Sequence, residues 1–447
     1  PPRLRRQRQM CIRDRSYLLL SILAIILLSA KFKLNPAISL FIGGIILGLL
    51  LKIGLLETLT FQVMGLINSL KGIGLIIFFS CIIGQILKES NSIKRFGNII
   101  LNSFQNKSLF SLNILGLLIG TVVFCDSAFL ILNGISRSIA SSSSLSLSSL
   151  NLSLSGGLYS SHTLIPPTPG PIAMIDNFNM IDQIGSVMIL GILVSIPSSL
   201  IAFLFARNLL NKDNISIKNK VQKFKNPSIF SYLTILVPLL LISLNTISDI
   251  IVIDNVTYIN TVINFLGNPI IALFIGVVLS LFIPREKELN SIIKNSFNDF
   301  LPIVLLTSMG AAFGNIIKNS DLTLLLPDLL SINNNNVVYI CFIGFLCSAI
   351  LKTSQGSSTS SMIIVSSIIF PIISDFGFDI FELSMIILSI GSGSMMISHV
   401  NDSYFWIVTK QTKFNLIDGL KYFSIMSIAQ SFGTFLFIIF LVTLKSL

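Results

Sequence analysis

Apolar runs of about 20 residues, the length at which a helix crosses a lipid bilayer, recur along most of this chain. They extend from Tyr17–Ala30 at one end to Phe423–Leu444 at the other. Hydrophobic residues make up 53% of the 447 residues and charged residues 11%, whereas an ordinary soluble domain has roughly 25% charged residues. The pattern predicts an all-α polytopic membrane protein with about 11–14 transmembrane or re-entrant helices, some of them broken.

The excess of basic over acidic residues, 30 against 19, is explained by membrane topology. The basic residues lie in short segments between apolar runs, as expected for cytoplasmic loops, so no nucleic-acid partner is predicted. We interpret residues 207–228 as a basic cytoplasmic connector between a first transmembrane half, 17–206, and a second half, 229–447. Its cations are Arg207, Lys212, Lys218, Lys220, Lys223 and Lys225.

Two further features of the composition limit the interpretation. Residues 1–16 carry six arginines and are interpreted as a basic leader or a non-native remnant, so they are left out of the fold prediction. The five cysteines show no paired spacing, which argues against a disulfide framework or a zinc site. No metal and no cofactor are predicted.

The segment Gly156–Ala173 contains four prolines and a glycine within six residues, Pro166–Pro171. Because proline fixes φ and removes a backbone donor, the whole segment is predicted to be irregular. Irregular backbone at membrane depth is tolerated only where it is buried in protein or lines a wet cavity. The segment is therefore a candidate substrate site, and an exposed interhelical loop is the alternative. The candidate residues are Ser161, His162, Thr163, Pro167, Thr168 and Gly170.

A matching stretch, Gly391–Ser403, lies near the other end of the chain. The chain has two histidines, His162 and His399, and each follows a serine shortly after a pair of glycines, 237 positions apart. Separately, Gly84–Ser90 resembles Gly314–Ser320 at an offset of 230. Two landmarks that recur at nearly one spacing and in one order predict two related halves.

Ionisable residues within apolar runs are the candidates for proton coupling. Asp126 lies in the middle of such a run, where an unpartnered carboxylate costs at least about 2.5–3.5 kcal/mol. An acid at a helix end facing the headgroups is the alternative. Asp402 follows His399 closely, and small changes in the surroundings of a histidine beside a carboxylate can carry its pKa across neutrality, as proton coupling requires. His162, His399, Asp126 and Asp402 are therefore the proton-coupling candidates, although a lone histidine is more often a packing residue.

A polar interruption at Lys352–Met362 separates two apolar runs in the second half. It predicts a helix break whose free N–H groups and hydroxyls face an anionic ligand, because the start of a half-helix presents unpaired donors. A packing seam of small residues is the alternative. For Lys352, the interpretations are that it helps to hold a carboxylate or that it extends to the membrane interface. The second half is predicted to supply two broken polar segments, Gln355–Thr359 and Ser398–Asp402, to a central site. Its substrate-binding candidates are Gln355, Gly356, Ser357, Ser358, Thr359, Ser398, His399 and Asn401. The serine-rich stretch Ser141–Ser155 is interpreted as a loop.

Three motifs together resemble the gluconate permease family, the gluconate:proton symporters of bacteria. They are the Ser-His-Thr-x-x-Pro-Pro-Thr-Pro-Gly-Pro run from Ser161, the Gln-Gly-Ser-Ser-Thr run from Gln355, and the Ser-His-Val-Asn-Asp-Ser run from Ser398. The resemblance covers nearly all of the chain from Tyr17 onward. It implies a multi-pass inner-membrane carrier that imports gluconate or a related sugar or hydroxy acid together with protons. The extra serines within Ser357–Ser361 leave the transported acid open.

Other functions remain open at this point. The same scaffold suits a carrier of a hydroxy amino acid or of a short hydroxycarboxylate, and it suits sodium coupling as well as proton coupling. An anion channel is a weaker alternative. An enzyme is not predicted, because no nucleophile elbow or metal-ligand cluster accompanies the serines and histidines. Whether the chain forms a homo-oligomer is also left open.

Overall fold

The computed structural model describes residues 16–18, 20–96, 108–143, 145–209, 228–250, 257–320 and 336–445. Most of the predicted leader, 1–16, and most of the predicted connector, 207–228, lie outside them. Within the described residues the chain forms helices and no strands, which confirms the predicted all-α class. The principal helices are α1 (Pro36–Leu50), α2 (Leu55–Glu89), α3 (Ser108–Ile119), α4 (Cys125–Ser142), α5 (Leu147–Leu164), α6 (Pro169–Asn177), α7 (Ile184–Arg207), α8 (Ile229–Ile250), α9 (Thr257–Gly267), α10 (Pro269–Leu281), α11 (Leu289–Lys318), α12 (Val337–Gln355), α13 (Ser358–Ile373), α14 (Ile380–Gly393), α15 (Ser403–Thr412) and α16 (Ile425–Lys445).

Six helical segments of the described chain are long and apolar enough to cross a bilayer. α9 and α10 form one further span with a bend of 65°. Five shorter apolar helices, among them α1, α3, α13 and α14, account for half-crossings. Together these elements fall within the expected range of about 11–14 crossings or half-crossings. The long spans are Leu55–Glu89, Ile181–Arg207, Ile229–Thr246, Leu289–Lys318, Val337–Gln355 and Leu416–Lys445.

The same local signal begins a short helix in each half. Asn35 precedes Pro36 at the start of α1, and Asn268 precedes Pro269 at the start of α10, 233 residues later. Each asparagine side chain accepts from the N–H two residues on, at 2.9 and 3.0 Å. Proline suits the first helical position because the N–H it lacks would have no partner there. In both halves a long helix follows, α2 in the first and α11 in the second.

These two long helices pack against each other in opposite directions. Gln85, near the end of α2, donates to Asp299 in the first half of α11 at 2.5 Å. Asn315, near the end of α11, donates to the carbonyl of Phe61 near the start of α2 at 2.7 Å. At Gly65 the backbones approach so closely that an added Cβ would lie 2.7 Å from the carbonyl oxygen of Ala311. Equivalent helices of the two halves therefore run antiparallel, as in inverted-repeat transporters.

Two predictions about irregular segments are wrong. α5 runs through Gly156–Leu164, and the chain is non-helical only at residues 165–168, because no proline occurs until the helix has ended and Pro169 occupies the first position of α6. The Pro166–Pro167 peptide bond there is cis.

The serine-rich stretch Ser141–Ser155 is also mostly helical rather than a loop. Several of its serines donate their hydroxyls to helical carbonyls. Ser155, for example, donates to the carbonyl of Leu152 at 2.9 Å, and Ser153 donates to that of Leu109 in α3 at 2.8 Å. Small hydroxyl side chains allow close helix contact and still find acceptors, so they suit a buried membrane helix.

Candidate functional site

Helix breaks from both halves expose four helix starts. Residues 120–124 separate α3 from α4, and residues 165–168 separate α5 from α6. In the second half, residues 356–357 separate α12 from α13, and residues 394–402 separate α14 from α15. Each helix start presents unpaired backbone N–H groups and the positive end of a helix dipole. The breaks predicted at Gln355–Thr359 and Ser398–Asp402 are confirmed.

Three of these helix starts, those of α4, α13 and α15, border one cavity of about 390 Å³, the central cavity. The last two turns of α5 and the first half of α11 complete its wall. The start of α6 borders a small adjoining space of about 40 Å³, the side cavity. Phe124, Ser127, His162 and Asp299 line both. The other residues of the central cavity are Cys125, Asp126, Tyr159, Asn298, Pro302, Ile303, Gly356, Ser357, Ser358, Thr359, Asp402, Ser403 and Tyr404.

A buried ion pair holds the second-half breaks together. Lys352, near the end of α12, contacts Asp402 at 2.6 Å, and their side chains are 1% and 5% exposed. The same ammonium donates to the carbonyl of Gly356 at 3.1 Å. Asp402 also accepts from Ser398 and, as the N-cap of α15, from the N–H of Tyr404 at 3.0 Å. Because these contacts satisfy both charges, the pair fixes the two breaks relative to each other.

Tyr159 connects the first half to these breaks. Its hydroxyl lies 2.9 Å from the hydroxyl of Ser358 and donates to the carbonyl of Ser394 at 3.2 Å. The ammonium of Lys352 lies 5.9 Å from the centre of the Tyr159 ring, within range of a cation–π contact. The tyrosine therefore joins α5 to the start of α13 and to the end of α14 across the cavity wall.

His162 lies where the two cavities meet. Its side chain is 6% exposed, and Nδ1 has no hydrogen-bond partner among the described residues. The ring faces Phe124 at a centroid distance of 6.2 Å. A buried polar atom without a protein partner, facing a cavity, is placed to bind a solute or a water.

Two carboxylates line the central cavity without a basic partner. Asp126 accepts from the hydroxyl of Ser403 at 3.0 Å, and Asp299 accepts from Gln85 at 2.5 Å. Across the described part of the chain, neither carboxylate forms an ion pair. Both are therefore available to a cation or a proton in the cavity.

The break at Gly356 depends on glycine. Its φ of +76° is left-handed, and a Cβ added there would collide with the carbonyl of Asn401. Ser357 then caps α13 by accepting from the N–H of Ser360 at 3.2 Å. With Ser358 and Thr359 these residues line the central cavity, so the predicted Gly356–Thr359 set lies together.

His399 and Asn401 contact the end of α12 rather than the central cavity. Nε2 of His399 and Nδ2 of Asn401 each lie 2.8 Å from the carbonyl oxygen of Thr353, near the end of α12. Ser398 is buried, and its N–H donates to Ser427 at 3.1 Å. Ser398, His399 and Asn401 therefore hold the 394–402 break against neighbouring helices and do not line the central cavity.

The remaining predicted residues are distributed as follows. Pro167 and Thr168 line the side cavity. Ser161 and Thr163 donate to carbonyls one turn back in α5, and Gln355 donates to Ser29 at 2.7 Å. Gly170 packs against Met362. The structure thus places part of the predicted set at the cavities and the rest within the surrounding packing.

Sequence reasoning did not select Tyr159, Lys352, Gln85, Asn298 or Asp299 for the site. Asp299 carried a signal, because an acid within a long apolar helix is costly unless it has a role. Lys352 was assigned only to a carboxylate contact or to the membrane interface, without a partner. In the described chain no group of three or more His, Cys, Asp or Glu side chains is placed to hold a metal.

A membrane-embedded helical fold with two antiparallel long helices and a polar cavity between broken helices defines a secondary transporter. The chain belongs to the GntP family permeases, whose family model matches residues 15–444. The predicted family is therefore confirmed.

Individual proteins give the same result. The chain is 26% identical to a gluconate permease of Zymomonas mobilis over 94% of this chain and 92% of that protein. It is 28% identical to the D-serine transporter DsdX of Escherichia coli K12 over 94% and 97%. The structure of the Alcanivorax borkumensis YdaH transporter shares the fold, with a TM-score of 0.55, 13% identity, and coverage of 87% of this chain and 90% of that one. The predictions of a transporter rather than an enzyme, and of a multi-pass inner-membrane location, are confirmed.

Proposed function

We propose that the protein imports gluconate or a related sugar or hydroxy acid by proton symport. The observation that carries the proposal is the central cavity, where helix starts from both halves meet a histidine and two carboxylates that form no ion pair within the described residues. The predicted halves 17–206 and 229–447 contain α1–α7 and α8–α16, so each half contributes to the cavity.

The substrate carboxylate binds at the start of α13. The first N–H groups of a helix have no intrahelical partner, and here the residues that carry them, Ser358 and Thr359, line the cavity. The buried Lys352 lies behind this helix start, bonded to the carbonyl of Gly356. Hydroxyls of Ser357, Ser358 and Ser403 offer both donors and acceptors to the substrate hydroxyls.

The coupled proton is carried by Asp126 and His162. Both line the central cavity, and Nδ1 of His162 has no partner in the described chain. The other two candidates are engaged elsewhere, Asp402 with Lys352 and His399 with the carbonyl of Thr353. We therefore assign Asp402 and His399 to positioning the breaks.

A carrier for a hydroxy amino acid is the second candidate. A D-serine transporter is among the relatives, and the central cavity contains Asp126 and Asp299 without basic partners. A carboxylate suits the ammonium group of an amino acid and repels an anion that lacks one. If this candidate holds, one of the two carboxylates binds the substrate rather than the proton.

Uptake of labelled gluconate into energised membrane vesicles, with and without a protonophore, tests the proposal. Accumulation that the protonophore abolishes is expected. Competition by unlabelled gluconate, idonate, D-serine and short hydroxycarboxylates identifies the substrate class, and D-serine as the strongest competitor would favour the second candidate. Flux that equilibrates but never accumulates would show a channel, and accumulation driven by sodium alone would overturn proton coupling.

The assignment of the proton carriers has its own test. Asp126→Asn and His162→Gln are expected to abolish accumulation driven by the proton gradient and to retain exchange of labelled for unlabelled substrate at zero gradient. His399→Gln keeps an N–H donor for Thr353 and should still show uptake that depends on the gradient. Gradient-driven accumulation that survives in both Asp126→Asn and His162→Gln would remove the pair from this role.

A further inference from the structure

A second large polar cavity lies along the same helices that form the central cavity. It has a volume of about 380 Å³ and is bordered by the first half of α2, the second half of α11, and the ends of α6 and α13. The central and side cavities are bordered by the opposite ends of these four helices. Polar side chains dominate the second cavity: Asn68, Ser69, Asp176, Asn177, Asn179, Asn315, Lys318, Ser367 and Ser374.

The second cavity and the other two cavities are related by the internal repeat. We compared the α2 residues that line a cavity with the α11 residues 230 positions later. In each case the α11 residue lines a different cavity, except for the partners of Gly65, Ile77 and Ser80, which line none of the three. Asn68, Ser69 and Gly72 in the second cavity correspond to Asn298, Asp299 and Pro302 in the central cavity. Cys81, Gly84, Gln85 and Lys88 in the side cavity correspond to Ala311, Gly314, Asn315 and Lys318 in the second cavity.

This correspondence follows from the antiparallel packing of α2 and α11. Because the start of one helix lies beside the end of the other, exchanging the halves also exchanges the two ends of the bundle. A residue that faces a cavity at one end therefore has its repeat equivalent facing a cavity at the other end. Inverted repeats of this kind place equivalent surfaces toward opposite sides of the membrane.

Closely packed apolar residues separate the cavities. Between Gly72 and Ser80, the α2 side chains of Ile73, Ile76 and Ile77 are 0–1% exposed. On α11, Gly310 packs against Ile363 of α13 so closely that a Cβ added to this glycine would contact that side chain. Along α2 and α11, closely packed apolar residues therefore lie between the central cavity and the second cavity.

We propose that the second cavity is the opposite-face vestibule of the substrate route and that it opens when the central cavity closes. The proposal rests on the proposed transport function, but it does not depend on which solute is carried. Its ligand class is the same polar, hydroxylated anion, which meets amide and hydroxyl side chains and the ammonium of Lys318. α6 and α13 begin at the side and central cavities and end at the second cavity, so movement of these two helices changes both ends.

A contact joins the end of α6 to the middle of α13. Asn177 donates to the hydroxyl of Ser366 at 2.8 Å and to the carbonyl of Ile363 at 3.2 Å. Since α6 belongs to the first half and α13 to the second, these bonds tie a helix of each half together at the second cavity. Opening the vestibule requires either that the two helices move as one unit or that these bonds break.

Cysteine labelling at a repeat-related pair tests the proposal. Asn68→Cys and Asn298→Cys occupy equivalent repeat positions, both are exposed, and they line the second and central cavities respectively. Each variant is treated with a membrane-impermeant maleimide in right-side-out and in inverted vesicles, and modification is measured on the peptide that carries the new cysteine. Modification of native cysteines in the cavities is therefore not counted.

We expect Asn298→Cys to react at least 10-fold faster from one face and Asn68→Cys at least 10-fold faster from the other. Saturating substrate should change the two rates in opposite directions. Ser374→Cys, on the opposite wall of the second cavity, serves if Asn68→Cys does not assemble, and it should share that residue's face. Reaction of both sites from the same face, or of neither second-cavity cysteine from any face, overturns the proposal.

The outcome is separable from that of the transport proposal. Sidedness is measured without substrate, so opposite-face labelling would stand even if neither gluconate nor D-serine were carried. Conversely, gluconate accumulation combined with same-face labelling would retain the transport function and remove the vestibule.

Discussion

Neutralising Asp402 tests how the buried ion pair stabilises the helix breaks. At 2.6 Å the attraction between Lys352 and Asp402 is about 6 kcal/mol for an effective dielectric constant of 20, and the cost of burying both charges offsets much of it. Removing one partner leaves the other charge buried and alone, which costs about 3–5 kcal/mol. Asparagine remains a good N-cap, so Asp402→Asn retains the hydrogen bond to Tyr404 and isolates the charge effect.

Asp379 provides a matched control. It is the N-cap of α14 and pairs with Lys445, with side-chain exposures of 54% and 40%. Partial burial acts to raise the pKa of Asp379, but bonds from Lys445 and from the backbone of Glu382 lower the pKa below its ordinary value. The carboxylate is therefore ionised at pH 7, and any stability it adds is lost only in acid, as the pH falls through the folded pKa. Because exposed pairs contribute about 0–1 kcal/mol, Asp379→Asn should have little effect.

The assay is thermal unfolding of the detergent-purified protein at pH 7, followed by circular dichroism. Asp402→Asn and Lys352→Met should each lower the midpoint clearly. The double variant should be less destabilised than the two single effects combined, because no isolated charge remains. High salt should leave the effect of Asp402→Asn unchanged, because a buried pair is poorly screened. A midpoint for Asp402→Asn that matches that of Asp379→Asn would refute the reasoning.

Two further substitutions test the geometry of the breaks. Gly356→Ala should destabilise the protein more than Gly377→Ala. Both glycines have a left-handed φ, +76° and +72°, but only at Gly356 would an added Cβ collide with another part of the backbone. The thermal unfolding midpoints of the two variants test this difference. Tyr159→Phe should lower the free energy of unfolding by about 1–3 kcal/mol, because the buried carbonyl of Ser394 loses its donor. If the variant unfolds at the same thermal midpoint as the wild type, the contact with Ser394 is contradicted.

The sequence predicted the second-half breaks well because their signals are local. Gly356 supplies a left-handed residue, and polar residues on either side of it cannot face lipid. The first-half break was placed too broadly, because prolines were taken to disrupt the residues before them. Proline is poorly tolerated within a helix and keeps the residue before it out of the helical region, but a helix can end just ahead of it. Ile165, directly before Pro166, is the first non-helical residue, and α5 continues to Leu164.

Pairings between distant residues were beyond the sequence. Lys352 and Asp402 are 50 positions apart, and nothing in either neighbourhood specifies the other. The same holds for the contact of Asn177 with Ser366 on another half. His399 and His162 share a sequence context, but the structure gives them different surroundings. Similar motifs in the two halves therefore did not predict similar positions relative to the cavity.

The sequence contains more evidence for the internal repeat than the two landmarks named above. The Asn-Pro starts of α1 and α10, 233 residues apart, are a third landmark at nearly the same offset. What the sequence lacked was direction, since similarity between two segments does not say whether they run parallel or antiparallel. Contacts such as Gln85 with Asp299 supply that direction. Because the halves are antiparallel, two residues at the same repeat position, about 230 residues apart, lie at opposite ends of the molecule. A polar cavity lined by one half at one end is therefore matched by a polar cavity lined by the other half at the opposite end.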